Sequence, residues 1–325
     1  MAKNYSEIQN HLDSENSALY FLNSFIIRLP AGNRALKDKE PPLIDLCVFL
    51  HEYIHYLQNA ATLTGLYDFV FQLRLIYCFS LTLDESRNSS GSDALPIAVR
   101  DSVAQLLLLQ SILRGDRSPS DSGYKVHISG IRLKVLNVEV SHSQVCVPET
   151  VETTQVVLHL EVASDRNNPS RHVMYFGTHC LNEGLAWEIE RNLLLSKLSL
   201  DAVREISPQH AAPYEVMRTV YEYYMGPQKS SRNMIRAGSI ALQSFSPAEA
   251  FIQLCEVLKE RGPLPHDADF PDELVEQMRQ QLGNIDQILS VMVEPIMKNF
   301  AGLGLLKPAI VALQNNYKKY HCCPR

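Results

Sequence analysis

His51 and His55 stand four residues apart with Glu52 directly after the first, in the stretch Phe49-Leu50-His51-Glu52-Tyr53-Ile54-His55-Tyr56-Leu57-Gln58. On a helix, positions i and i+4 lie one above the other, so both imidazoles can reach a single metal ion. Glu52 projects beside the pair, where a carboxylate can hold a water molecule and take its proton. The chemistry this spacing allows is hydrolysis by a metal-activated water.

Three fixed positions in five arise by chance in on the order of a few per hundred chains of this length, so the pattern needs a helical setting. It has one. The apolar run Leu43 to Leu50 is entered through Pro41-Pro42, and prolines are tolerated in a helix's first turn. Apolar residues continue at Ile54, Leu57 and Ala61 before Gly65 offers a stop. The spacing predicts a half-buried helix from about Pro42 to Thr64 with its ligands facing a cleft. Gln58, three residues after His55, shares the ligand face and either touches substrate or fixes the entry of the next helix. Tyr53 and Tyr56 are expected to pack beside this helix.

A catalytic zinc site takes three protein ligands and leaves a position open, so the two histidines need a partner from elsewhere. The segment Leu181-Asn182-Glu183-Gly184-Leu185-Ala186 resembles the third-ligand segment of aminopeptidase N-like gluzincins, L-N-E-G-F-A, whose Glu binds zinc. The resemblance implies that Glu183 is a metal-binding carboxylate. It also implies a zincin-like metallopeptidase core and one Zn2+ per chain. Glu183 and Glu190 are two helical turns apart and share a face, which makes Glu190 a supporting acid by position. Gly184 and Ala186 keep bulk away where this helix must approach the metal helix. His179, one turn before Glu183, is open to three roles: a fourth ligand, an outer hydrogen-bond donor or a substrate contact.

This chain departs from that family in three ways. The gap from His55 to Glu183 is 183 minus 55, or 128 positions, whereas the family's two motifs are close together. The substrate-amine motif G-x-M-E-N is missing before His51, so aminopeptidase specificity does not carry over. Trp187 stands where a thermolysin-like enzyme has an acid four residues after the ligand. The resemblance covers only these two short motifs.

With the metal on His51, His55 and Glu183, Glu52 serves as general base and then returns the proton to the leaving amine. An oxyanion donor is also needed, and gluzincins use Tyr or His. In Pro213 to Tyr224, Tyr214 and Tyr221 are seven apart on one helical face. Tyr221 is named first, with Tyr214 and His210 as the other candidates. The expected activity is peptide-bond cleavage on a peptide or protein substrate. The alternative is a catalytically silent zincin-fold protein that acts as a binding or regulatory module.

At 325 residues, with 46% hydrophobic and 20% charged residues, the chain has an ordinary globular composition. A net charge of -6 argues against nucleic-acid binding, since no basic stripe is present. Seven cysteines, scattered singly except Cys322-Cys323, fit no disulfide framework, and no long unbroken apolar run is present. These features lead to the expectation of a cytoplasmic protein with no membrane span.

The elements that must carry the site read as follows. Ala18 to Pro30 is expected to form a strand, and Leu66 to Leu83 and Leu95 to Leu113 helices, separated by the polar loop Asp84 to Asp93. From Tyr124 to Ala163 apolar residues recur at spacings near two, which predicts two to four antiparallel strands with turns near Ser129-Gly130 and Pro148-Glu149. Asp165 to Ser170 has the chemistry of a turn into a further strand at Arg171 to Phe176. Beyond it the chain reads as helical: Thr178 caps a helix to about Leu198, and Asp201, Pro213, Pro247 and Pro271 mark later starts. Ala248 to Glu260, Asp272 to Gln281 and Ile285 to Val293 are amphipathic, and a last helix lies within Gly302 to Tyr320. The fold class is therefore α+β and mainly helical, with a small antiparallel sheet and a helical C-terminal half. The divisions are residues 1–123 with the metal helix, 124–178 as a β-rich insertion, and 179–325 with the third-ligand helix, together one catalytic unit. Because the sheet interrupts the two halves of the metal site, a regulatory protein partner is a further expectation.

Overall fold

The first long helix, α1 (Leu43–Ala61), begins where the Pro41-Pro42 pair stops. Pro42 is extended, with φ -52° and ψ 140°, and its carbonyl accepts the Leu46 N–H to close the first turn. Asp45 in that turn receives the Arg34 backbone N–H at 3.0 Å, while Asn33 bonds the Asp45 carbonyl. A carboxylate here also complements the positive end of the helix dipole. This computed structural model describes residues 19–21, 26–30, 32–80, 97–115, 132–147, 149–164, 167–199, 203, 212–227 and 231–262.

Before α1 lie two three-residue strands, β1 (Leu19–Phe21) and β2 (Ile26–Arg28), paired antiparallel from Leu19↔Arg28 to Phe21↔Ile26. The expected single strand is therefore a hairpin. After α1, Thr62 alone is extended and α2 (Leu63–Ser80) follows at once. The break falls three residues before Gly65, which was expected to end the helix. Gly65 instead lies inside α2, and its role is steric: a Cβ there would stand 2.3 Å from the Asn59 carbonyl oxygen and 2.5 Å from that of Gln58. The joint is tied down by Thr62 Oγ1, which bonds the Gln58 carbonyl and accepts the Gly65 N–H. From the other side Gln243 bonds both Leu63 N–H and the Ala61 carbonyl.

Helix α3 (Ile97–Arg114) packs Leu109 and Ile112 on Phe71 of α2. It ends at Gly115 with φ +73°, a left-handed conformation that favours glycine. Next come β3 (Arg132–Val147), β4 (Glu149–Ser164) and β5 (Asn167–Phe176), an antiparallel sheet in the order β3-β4-β5. Strand β4 shows the period of two: Val156, Leu158, Leu160 and Val162 are all buried, and Met174 and Phe176 of β5 share their cluster. The β3–β4 ladder runs as far as the pair Val147↔Glu149, and Pro148, where a turn is expected, lies outside the described residues. β5 starts inside the stretch expected to be a turn, because Asn167 still pairs with Ser164.

Four more helices follow among the described residues: α4 (Thr178–Leu195), α5 (Val216–Met225), α6 (Ser231–Ala241) and α7 (Pro247–Arg261). Gly177, not Thr178, is the N-cap of α4, and Thr178 is buried. A Cβ on Gly177 would lie 2.4 Å from the Arg114 carbonyl oxygen, so the end of α3 abuts the start of α4. Pro247 occupies the first turn of α7, as expected of a helix-opening proline. The main core joins the inner sheet face to Leu181, Leu185, Val216, Met217, Val220, Met234, Phe251 and Leu254 from all four helices.

The fold is thus α+β and mainly helical with one small three-stranded antiparallel sheet. The helical expectations beyond residue 262, the Asp84 to Asp93 loop, the Ser129-Gly130 turn and the Asp201 start lie outside the described residues. No helix among the described residues is long and apolar enough to cross a membrane. Cys47, Cys78, Cys180 and Cys255 are free thiols.

Candidate metal centre

One turn of α1 brings His51 Nε2 to 3.2 Å from His55 Nε2, with the rings nearly perpendicular at 81°. Glu183, delivered by α4, places Oε2 3.4 Å from each of these nitrogens. Among the described residues this is the group of His, Cys, Asp and Glu atoms close enough to share one cation. The seam between α1 and α4 is filled by Cys47, Trp187, Leu194 and Val203. Burial and the nearby Glu190 carboxylate push the Cys47 thiol up to about 12, so it stays a neutral packing group.

The glycine after Glu183 works differently from the expectation. A Cβ on Gly184 would stand 2.6 Å from Met217 Cβ and 3.4 Å from the Tyr214 carbonyl oxygen. The close approach that Gly184 makes room for is therefore with the start of α5.

Both imidazoles are held from behind. His51 Nδ1 lies 3.1 Å from Glu190 Oε2, and His55 Nδ1 lies 2.8 Å from Gln58 Oε1. A carboxylate and an amide oxygen can only accept, so each Nδ1 carries the hydrogen. That leaves both Nε2 lone pairs facing the Glu183 carboxylate. Three electron-pair donors then converge with no hydrogen between them in the neutral rings, an arrangement that a cation relieves. The 3.2 to 3.4 Å separations also match a tetrahedral ion, whose ligands at about 2.0–2.1 Å lie roughly 3.3–3.4 Å apart. The residues present therefore fit a divalent metal.

Without a metal, a proton takes that role. Burial alone would lower the His51 pKa, but its bonds to Glu183 and Glu190 outweigh it and push it up to about 10. Burial would likewise raise Glu183, yet the two histidines hold it well below the usual carboxylate range.

Glu52 is half-buried beside the pair. Its charge, with those of Glu183 and Glu190, reaches Tyr214, whose ring lies 6.0 Å from that of His51. Burial first and these carboxylates second push the Tyr214 phenol up to about 12, so it stays a protonated donor.

Tyr221, named first from the sequence as the oxyanion donor, is in the hydrophobic core instead. It is 2% exposed, its hydroxyl has no hydrogen-bond partner among the described residues, and burial and Cys255 push it up to about 12. Tyr214 and Tyr221 do not share a helical face, because Tyr214 precedes α5, in the turn at 212–215. His179 is half-buried on α4 one turn before Glu183, and its nitrogens are not in the three-ligand group. His210 lies outside the described residues. Tyr53 and Tyr56 form a stacked ladder with Phe49, with ring spacings of 5.7 and 5.8 Å.

A buried charge cluster on α4 and α5 was not anticipated from the sequence. Glu188 is 0% exposed and takes the Arg218 guanidinium in a two-pronged bond, with Arg191 at 3.5 Å. Burial raises the Glu188 pKa despite Arg218, and Arg218 is itself raised by Glu188, Glu215 and Glu222 against the effect of its own burial. Trp187 Nε1 donates to Glu215 at 2.9 Å, which ties α4 to the residue following Tyr214. The readable signal was the charge spacing Glu215, Arg218 and Glu222 at i, i+3 and i+7, together with Glu188 and Arg191.

No protein-family model matches the chain, and searches for similar curated proteins and for similar solved structures found no match.

Proposed function

We propose that this chain is a zinc-dependent metallopeptidase of gluzincin type, built around a zincin-like centre. The observation that carries the reading is the convergence of three lone-pair donors from α1 and α4, both rings being held with Nδ1–H outward. His51, His55 and Glu183 would hold the ion, a two-histidine, one-carboxylate set that leaves room for water and substrate. An ion held there would supply Lewis acidity to a substrate carbonyl and to water.

The remaining steps belong to the chain's own side chains. Glu52 takes the proton of the attacking water and delivers it to the leaving amine nitrogen. Tyr214, kept protonated, donates a hydrogen bond to the oxygen that gains charge as the carbonyl becomes tetrahedral. Glu190 and Gln58 keep both rings aimed throughout.

The test combines metal content with cleavage. Purified protein should hold about one zinc per chain, and His51→Ala should lose it. A proteome-derived peptide library should be cut by the parent and left intact by Glu52→Gln with zinc retained. Cleavage by Glu52→Gln at the parent rate removes the proposed base. Zinc uptake with no cleavage by the parent turns the reading toward a metal-bearing binding module.

A further inference from the structure

Gln58 is buried at 6% exposure and never touches the three-ligand point, yet it is bonded to both halves of the centre. Its Nε2 donates to the backbone carbonyl of Asn182 at 2.9 Å. Its Oε1 faces His55 Nδ1 at 2.8 Å. The orientation of an amide is normally ambiguous, but here it is forced: a carbonyl oxygen only accepts, so the NH2 group must face Asn182 and the oxygen must face His55.

Asn182 is the residue immediately before Glu183, so the carbonyl that Gln58 holds is the one attached to the Glu183 amide. One side chain on α1 therefore fixes the His55 ring and the position along α4 of the third ligand. His51 has a different arrangement, because Glu190 is a carboxylate and comes from α4 itself. A carboxylate could serve the His55 ring equally well, but it would set an oxygen against the Asn182 oxygen. Only an amide has the donor and the acceptor that this place needs. The backbone of Gln58 is fixed as well, since its carbonyl receives Thr62 Oγ1 at the α1–α2 joint, where Gly65 leaves no room for a Cβ.

We infer that Gln58 is a positioning residue for the metal, a two-way brace that sets His55 and Glu183 relative to each other. This rests on the metal-centre reading but not on peptidase activity. The brace explains how helices whose ligands are 128 positions apart (183 minus 55) keep donor separations within a few tenths of an ångström.

The experiment uses the full chain and Zn2+ alone, titrated against a competing fluorescent chelator, with Co2+ substitution to read ligand geometry from its visible spectrum. Gln58→Leu, which removes both bonds, and Gln58→Glu, which keeps only the ring bond, should each weaken zinc binding by about 10- to 100-fold and alter the cobalt spectrum. Phe71→Leu, in the separate α2–α3 cluster, serves as the control for general destabilisation and should lower Tm while leaving affinity and spectrum unchanged. Parent affinity in Gln58→Leu overturns the brace. Parent affinity in Gln58→Glu overturns the link to α4, and equal weakening by Phe71→Leu reduces the effect to lost stability. A parent that takes up no zinc overturns the metal centre itself, a result distinct from the other three.

Discussion

Two tyrosines seven residues apart separate a site role from a core role. Tyr214→Phe should lower the hydrolytic rate by about 10²- to 10³-fold, as removal of an oxyanion donor does, with zinc content unchanged. Tyr221→Phe should leave the rate alone and keep or raise stability by up to about 1 kcal/mol, because it deletes a buried hydroxyl that has no partner among the described residues. Equal rate losses in both variants, measured on the same peptide, would contradict this assignment. The charge state of the metal-free centre gives a second prediction. His51 is raised from 6.5 to about 10, so its stabilising contribution is complete below about pH 6.5 and fades as pH climbs toward 10. Glu183 is depressed below 4.5, so its contribution is present above about pH 4.5 and fades on acidification. Thermal melts of the metal-free protein should therefore fall from pH 7 to 10. On the proposed reading, added zinc would replace the proton on the ligand set and should flatten that decline. The histidine pair was legible in the sequence because i and i+4 on one helix is a local relation. The tyrosine was not, because its place depends on where α5 begins.

At the scale of elements, α4 is the piece whose placement decides the centre, and it is held to α5 in two ways. Toward α5 the fit is steric: Gly184→Ala puts a methyl 2.6 Å from Met217 Cβ, and overpacking of this kind costs about 1–3 kcal/mol. Because Glu183 is the preceding residue, zinc affinity should fall along with Tm. An unchanged zinc affinity would mean that α4 tilts without moving its ligand. Toward the same helix the fit is also electrostatic, through Glu188 and Arg218. Arg218→Met leaves the buried Glu188 carboxylate with only Arg191 beside it and should destabilise by up to about 3–5 kcal/mol, whereas the double change Glu188→Met with Arg218→Met should recover much of that loss in urea melts. The nearness of Glu183 to the histidine pair was legible only through six residues of resemblance. What Gly184 packs against was not legible, because a glycine shows that space is scarce without showing which neighbour takes it. Gly65 carries the same lesson, since the sequence suggested a helix stop where the structure has two helices pressed together.

For the whole molecule, the α+β class and the antiparallel sheet were legible because period-two and period-3.6 patterns are local. The hairpin before α1 and the packing order of the helices were not, since they arise from contacts between distant segments. Such contacts also build the centre, with β3, β4 and β5 intervening between its two parts. Metal that binds only the native state stabilises it by about 2.7 kcal/mol at a hundred times Kd, so chelation should lower Tm measurably. The chain's single tryptophan, Trp187, is four residues past Glu183 and buried at 2% in the α1–α4 seam. Its indole emission therefore acts as a built-in optical gauge of that seam. In stopped-flow refolding the blue shift of this emission should precede or coincide with zinc capture, and capture that clearly led the blue shift would show the ligands meeting before the two helices dock.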